Sequence, residues 1–348
     1  MLAASAVATL VLAGCGSSSS GGGGTSAGSV DYSKMTVQQL YDGAKKEGTL
    51  VLYAADTGGD MYPGFEKAYP GIKVKYFQEQ GEQSASKMQT EARSGVYNVD
   101  VLDTEQNTMY TMSQTGLLAK YAPPEASNVD TKYKNDFWVG YRVQLKPITY
   151  NTKLITGADV PKSLSDLADP KYAGKVCAEP TEVSVFADMV QTQGEDATVQ
   201  YWKNLTTNKL RMVSGQTNLV QAVVSGECPI AISSNLHTVA KSMAKDAPIS
   251  WVKTDPLYGN YGAGAVAAKA PHPYAARLYA NYLISKTGQD TVVKAYRVPV
   301  NNTVEPREKE LANHSYNAVI AGDEVMKNFT KYNNLYYTST GRPVVGGG

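Results

Sequence analysis

From Thr49 onward, strand-like and helix-like segments alternate along the chain, which restricts the fold to α/β layers over a mostly parallel sheet. Thr49-Leu-Val-Leu-Tyr-Ala reads as a buried strand, and Ile72-Lys-Val-Lys-Tyr-Phe alternates with period two, as a half-buried strand does. Met61–Tyr69 is expected to be a short helix with Pro63 in its first turn, and Ser84–Ser94 a helix stopped by Gly95. Asn98-Val-Asp-Val-Leu-Asp gives the next strand, and Met109–Gln114 a helix stopped by Gly116.

The stretch from Phe137 to Thr152 breaks this rhythm. It is long, extended and contains Pro147, so an edge or crossing strand is expected there. A second series follows: strand 175–179, helix from about Val183, helix Asn218–Ser225 and strand 229–233. Gly262–Lys269 reads as a returning strand and Pro273–Ser285 as a helix with Ala276, Tyr279, Ala280 and Leu283 on one stripe. The tail after Asn302 reads as helical and polar. The expected organisation is two α/β lobes joined by crossing strands. Residues 35–147 plus 262–301 form the first, and 148–261 plus 302–345 the second.

The N-terminus constrains location. An apolar run from Leu2 to Ala13 ends in Leu12-Ala-Gly-Cys15, followed by a Ser/Gly stretch. This is the pattern of a bacterial lipoprotein signal, with cleavage before Cys15 and lipid on its thiol. About twelve apolar residues are too few to span a membrane, which takes about 20. No Lys or Arg precedes Lys34, so a start site further upstream is expected. Residues 16–34 then act as a flexible tether. A frayed N-terminal helix is the plain alternative.

Lys+Arg 33 against Asp+Glu 32 leaves a net charge of +1, which offers no field for nucleic acid. Hydrophobic content of 42% suffices for a sizeable core. With Cys15 assigned to lipid, Cys177 and Cys228 remain, each in a short strand-like segment. In an oxidising compartment they are expected to form a disulfide, with two buried free thiols as the alternative. Neither has CxxC or His spacing for metal or redox chemistry.

Five segments resemble one family in the right order. They are Leu40-Tyr-x-x-Ala-Lys-Lys-Glu-Gly-x-Leu-Val-x-Tyr, Phe65-Glu-Lys-Ala-Tyr-Pro-Gly-Ile-Lys-Val, Gly116-Leu-Leu-Ala-Lys-Tyr, Pro161-Lys-Ser-Leu-x-Asp-Leu-x-Asp-Pro-Lys-Tyr-Ala-Gly-Lys-Val and Lys269-Ala-Pro-His-Pro-x-Ala-Ala. Together they are similar to the extracellular solute-binding proteins of bacterial ABC importers. The subgroup includes ferric-ion binders and receptors for phosphorylated or organic anions, and the likeness runs from about residue 37 to 303. It implies a two-lobed periplasmic-binding-protein fold of type II, with hinge strands and an interlobe cleft. The implied protein is a monomer without cofactor, held by lipid at the outer face of the cytoplasmic membrane. It captures a small solute by lobe closure and passes it to a membrane permease.

Ligand positions carry over residue by residue. Ferric binders of this type use a Ser-Glu-Gln-like turn after the third strand, matched here by Thr104-Glu105-Gln106. They place an Asn and two adjacent tyrosines after a strand like 229–233; here Asn235 remains and the tyrosines have become Leu236-His237. The first-strand loop lacks their His and reads Asp56-Thr57-Gly58-Gly59-Asp60. Fe(III) favours anionic oxygen, so losing both phenolates weakens the ferric reading; Glu105 and His237 remain as metal ligands only if the solute is a metal.

Read from the residues alone, the same positions favour an anion. Pro180–Ser184 and Ser214–Thr217 enter helices whose free N–H groups attract phosphate or carboxylate. Arg142 on the crossing segment offers a bidentate clamp. The plain alternatives are that Thr181 and Thr217 only cap helices and that Arg142 lies on a solvated face. Glu105 and Glu182 argue against a purely anionic ligand unless a carboxylate reads a hydroxyl or ammonium. The expected cleft set is Thr57, Glu105, Gln106, Arg142, Thr181, Glu182, Gln216, Ser234, Asn235 and His237. Trp138 and Tyr150 are expected in packing, Tyr258 and Tyr261 in packing or the cleft, and Tyr336-Tyr337 too far along the tail to replace the missing pair.

The three histidines form no HExxH pair, and neither a GxSxG elbow nor a Walker A sequence is present. A secreted hydrolase and an envelope interaction lipoprotein without a ligand are the competing readings. Ester turnover would favour the first, and a missing polar cleft the second.

Overall fold

Two sheets carry the architecture, and the chain changes sheet at Lys146-Pro147. The computed structural model describes residues 30–79 and 81–344. Cys15 and most of the tether lie outside the described residues, as do the side chain of Thr57 and its neighbours at 56 and 58.

Local chemistry sets the first elements. Helix α1 (Val37–Glu47) opens on Thr36, whose hydroxyl accepts from the Gln39 amide while the Gln39 side chain accepts from the Thr36 amide. Then come β1 (Thr49–Ala54), α2 (Asp56–Ala68), β2 (Lys73–Gln78), α3 (Gly81–Arg93), β3 (Val101–Glu105) and α4 (Gln106–Ser113). Helix α2 starts earlier than the sequence suggests, so Pro63 lies inside it rather than in its first turn. Just past α3, Gly95 takes φ +74°, the left-handed turn expected of it.

The extended stretch after Phe137 resolves into two strands, β4 (Val139–Leu145) and β5 (Ile148–Asn151). The second series is β6 (Val176–Ala178), α5 (Ser184–Gln193), α6 (Glu195–Thr207), β7 (Arg211–Met212), α7 (Gln216–Ser225), β8 (Ile230–Ile232), α8 (Leu236–Met243) and β9 (Ile249–Val252). The chain returns through β10 (Leu257–Val266), α9 (Pro273–Ile284), α10 (Lys286–Lys294) and β11 (Val298–Pro299). It ends in β12 (Ala318–Ile320), α11 (Asp323–Lys327) and α12 (Phe329–Ser339).

Among the described residues the larger sheet has seven strands in the order β11-β4-β10-β3-β1-β2, with β12 pairing β10; the smaller has five, in the order β7-β6-β8-β5-β9. Both are mixed rather than mostly parallel, because β10 runs antiparallel to β3 and β4, and β5 antiparallel to β8 and β9. Neither β4 nor β5 is an edge strand. Pro147 is accommodated because it lies between them, where no ladder bond is required. Strand β10 begins at Leu257, and Gly259 pairs with Leu145, so residues 257–261 belong to the larger sheet and not to the second lobe. Strand β12 also joins that sheet, although the tail reads as wholly second-lobe and helical.

Each lobe has an aromatic core. In the first, Phe65 packs edge-on against Tyr279 and Tyr282 of α9, at 5.1 and 5.5 Å between ring centres. In the second, Trp202, Phe186 and Tyr336 interlock, with Trp202 and Tyr336 at 4.9 Å. Trp138 is core packing as expected, its indole N–H donating to the Tyr261 hydroxyl at 3.0 Å.

Cys177 in β6 is bonded to Cys228, which lies just before the neighbouring strand β8; their Cα atoms are 6.1 Å apart. The bond closes a loop with a sequence separation of 51. Chain-entropy arguments assign such a loop about 4 kcal/mol. Urea unfolding with and without reductant should show a loss approaching that figure, and Cys177→Ala/Cys228→Ala should match the reduced protein.

Candidate functional site

A cleft of about 930 Å³ opens between α3 and α4 on the first lobe and the start of α5 with α11 and α12 on the second. Glu105, Gln106, Thr181 and Glu182, four of the residues expected at a cleft, line it. Arg142, Gln216, Ser234, Asn235 and His237 do not; they lie outside its wall.

The reason is the spacing along the crossing strand. Arg142, Gln144 and Lys146 share one face because side chains alternate along a strand. Arg142 Nη2 donates to Glu105 Oε1 at 3.1 Å, and Gln144 Nε2 donates to the same oxygen at 2.8 Å. Lys146 Nζ donates to Glu182 and, at 2.6 Å, to Asn235 Oδ1. Arg142 and Lys146 are each 1% exposed by side chain, whereas Glu105 keeps 34%. The cations therefore sit beneath carboxylates that reach the cleft. Arg142 is a support for Glu105 rather than a clamp on the solute.

The second-lobe residues form a hydrogen-bonded platform. Gln216 Oε1 accepts from the Asn235 amide at 2.8 Å, and Gln216 Nε2 donates to the Ser233 carbonyl at 3.0 Å. The Ser234 and Thr149 hydroxyls lie 3.1 Å apart. Thr181 caps no helix; its amide and hydroxyl both donate to Glu179 Oε2 at 2.7 Å. Glu182 instead accepts from the Ser184 amide at 3.2 Å and from its hydroxyl at the start of α5. Thr217 caps nothing either, because Gly215 holds the N-cap of α7.

Charge at the base is nearly balanced. Two of the carboxylates facing the cleft, Glu105 and Glu182, are each paired with a buried cation, and Glu82 and Lys327 complete the charged lining. Helix α4 opens into this space at Gln106–Thr108 with no side-chain cap from Glu105, so its dipole adds positive potential. Glu105 Oε2 is buried and has no donor among the described residues.

Titration follows from burial. Desolvation pushes Asp103 up to about 6, against the pull of Arg142 and a hydrogen bond from Tyr141 at 2.9 Å. Burial works to lower the Arg142 pKa, but Tyr141, Glu105 and Asp103 outweigh it and hold it above its ordinary value. Half-buried His237 is driven well below the usual histidine range by desolvation, then by the positive charges of Arg297, Lys241, Lys146 and Arg142.

Sequence reasoning missed Gln144, Lys146 and Tyr337. The first two were legible in the alternation around Arg142, had the crossing been treated as a strand face. Tyr337 lines the cleft from α12, while its neighbour Tyr336 is fully buried and donates to the Glu179 carbonyl at 2.8 Å. The adjacent tyrosines in the tail thus do reach this region, contrary to expectation. Tyr258 is in packing, its hydroxyl 3.2 Å from that of Thr192.

Residues 98–319 match the sequence profile of the bacterial extracellular solute-binding proteins. The chain belongs to that family. The major ferric iron-binding protein of Neisseria meningitidis is 27% identical over 75% of this chain and 80% of its own length. The Fe(3+)-binding periplasmic protein of Serratia marcescens is 24% identical over 55% of this chain, an alignment that spans 60% of that relative. Iron-bound HitA from Pseudomonas aeruginosa superposes with a TM-score of 0.72 at 23% identity, over 84% of this chain and 99% of its own. AfuA from Actinobacillus pleuropneumoniae, with fructose-6-phosphate bound, gives 0.69 at 21% identity, over 84% and 98%. The two-lobed fold of this solute-binding protein is therefore shared with receptors of differing ligands.

Two outcomes follow for the site. A Cβ at position 262 would fall on the Arg142 guanidinium, so Gly262→Ala should displace that side chain from Glu105 and lower stability by about 1–3 kcal/mol, read by urea unfolding. His237 is harder to protonate folded than unfolded, so acid costs stability below about pH 6.5, where the unfolded histidine begins to bind a proton. Relative to His237→Gln, the wild type should lose stability from pH 6.5 to 5, by at most about 1.4 kcal/mol per pH unit. Equal losses would place His237 in a solvated setting.

Proposed function

We propose that this protein is the solute receptor of an ABC importer and that its cargo is a small organic or phosphorylated anion. The importer assignment follows from the family, whose members bind solutes. The anionic cargo rests on one observation. At the place where ferric receptors of this type carry a phenolate pair, this chain has buried Leu236 and, next to it, His237. That place offers Fe(III) no phenolate, and the cleft carboxylates Glu105 and Glu182 are already paired with Arg142 and Lys146. The uncapped start of α4 points the same way.

The solute also carries hydrogen-bond donors, because the partly exposed Glu105 carboxylate, an acceptor, lines the cleft beside Gln106. Lobe closure around it completes the site, the usual behaviour of hinged receptors. No helix among the described residues is long and apolar enough to cross a membrane, and attachment through lipid on Cys15 is the anchoring we propose. The receptor works as a monomer that docks on its permease.

Native mass spectrometry of freshly purified protein should reveal a retained organic anion. Calorimetry should give binding of a hexose 6-phosphate or citrate, with a smaller radius by X-ray scattering when loaded. Ferric ion alone should produce no visible charge-transfer band. Such a band, with no anion bound, would refute the reading in favour of iron through Tyr110 or Tyr337, which share the cleft with Glu105 and Glu182.

A further inference from the structure

The last helix of the chain forms one wall of the cleft, and nothing in the sequence pattern announces it. We propose that Tyr337 on α12 determines specificity by reading the body of the solute, which is a hydroxylated, polyol-like group attached to the anion. This rests on the organic-anion reading above.

Helix α12 is held in a fixed register. Tyr336 is locked between Trp202 at 4.9 Å and Phe186 at 6.0 Å, with its hydroxyl bonded to Glu179. The next side chain, Tyr337, then projects to the cleft, together with Asn333 and Thr330 one turn and two turns earlier on the same face. The ring of Tyr337 is itself braced. The Arg342 guanidinium lies 4.2 Å from its centre, the Arg342 amide donates to the Tyr337 carbonyl at 2.9 Å, and Arg342 Nε donates to the Thr340 hydroxyl at 3.0 Å. The guanidinium thus occupies one ring face of a side chain that lines the cleft.

The cleft has room for more than an anionic group. A cleft of about 930 Å³ is far larger than one inorganic phosphate or metal ion, each comparable to a few waters of about 30 Å³. The space beyond the anionic group is lined by an aromatic ring on α12 beside amide and hydroxyl side chains, with Asn107 and Thr111 facing from α4. An aromatic surface takes the C–H face of a polyol, and amides and hydroxyls pair with its hydroxyl groups. A flat apolar body would leave those polar groups unpaired, so it is disfavoured.

The test compares a hexose 6-phosphate with inorganic phosphate by calorimetry on wild type, Tyr337→Ala and Tyr337→Phe, all checked for unchanged melting. The wild type should prefer the hexose phosphate. In Tyr337→Ala that preference ratio should fall about tenfold, equivalent to one aromatic contact of about 1.4 kcal/mol. In Tyr337→Phe, which keeps the ring, it should stay within about threefold of wild type. An unchanged ratio in Tyr337→Ala, with both anions still bound, overturns this inference and leaves the anion reading intact. No binding of either anion by the wild type overturns both. An iron charge-transfer band that disappears in Tyr337→Phe makes Tyr337 a metal ligand and overturns the specificity role.

Discussion

The buried ammonium of Lys146 is the constraint on which the centre of the molecule depends. A cation withdrawn from water at a sheet-to-sheet crossing costs several kcal/mol unless it is paired and hydrogen-bonded. Glu182, just ahead of α5, and Asn235, at the start of α8, supply that pairing from two separate second-lobe elements. The crossing is thereby fastened to the segments that follow the interior strands β6 and β8 of the smaller sheet. Asn235 in turn gives its side chain to Lys146 and makes no cap bond to α8.

Arg142, four residues earlier on the same strand face, repeats the arrangement toward the first lobe. Its partner is Glu105, and it packs against the returning strand where only a glycine at 262 leaves room for the guanidinium. One short stretch of chain thus neutralises a cleft carboxylate from each lobe. The cleft floor carries little net charge, which leaves the α4 N-terminus, the exposed part of Glu105 and the polar face of α12 as its groups with directional bonding. Glutamates in the cleft are therefore compatible with the hydroxylated anion proposed above.

Much of this was legible in the sequence because most strands announce themselves locally. Thr49–Ala54 was read residue for residue, and the Cys177–Cys228 bond follows from two strand-like segments in an exported chain. The Glu105-Gln106 turn is legible through the resemblance, which places a Ser-Glu-Gln-like turn directly after the third strand. Short elements that exist only through pairing were not legible. Strand β12 spans three residues and acquires its identity from Leu257 and Gly259 across the ladder. Helix α6 was passed over although Trp202 and Leu205 fill the second core. Arg142 and His237 were assigned to the cleft by position in the sequence, but burial beneath their neighbours decides where side chains end. Sequence order carries no information about depth.

The tail matters more than its polar composition suggests. Among the described residues the chain passes between the two lobes three times: at Lys146-Pro147, between β9 and β10, and between β12 and α11. The third passage is tied from both sides. Gln106 of the first lobe donates to the Ala321 carbonyl at 2.6 Å, while Gln191 of the second donates to the Ile320 carbonyl at 3.1 Å and accepts from the Gly322 amide at 2.7 Å. This passage, held by glutamines of opposite lobes at adjacent carbonyls, ties the tail to both lobes at once. Tyr337 follows it on a helix anchored in the second core, so the wall it adds to the cleft opposite α4 is fixed by bonds from both lobes rather than by the polar surface of the tail.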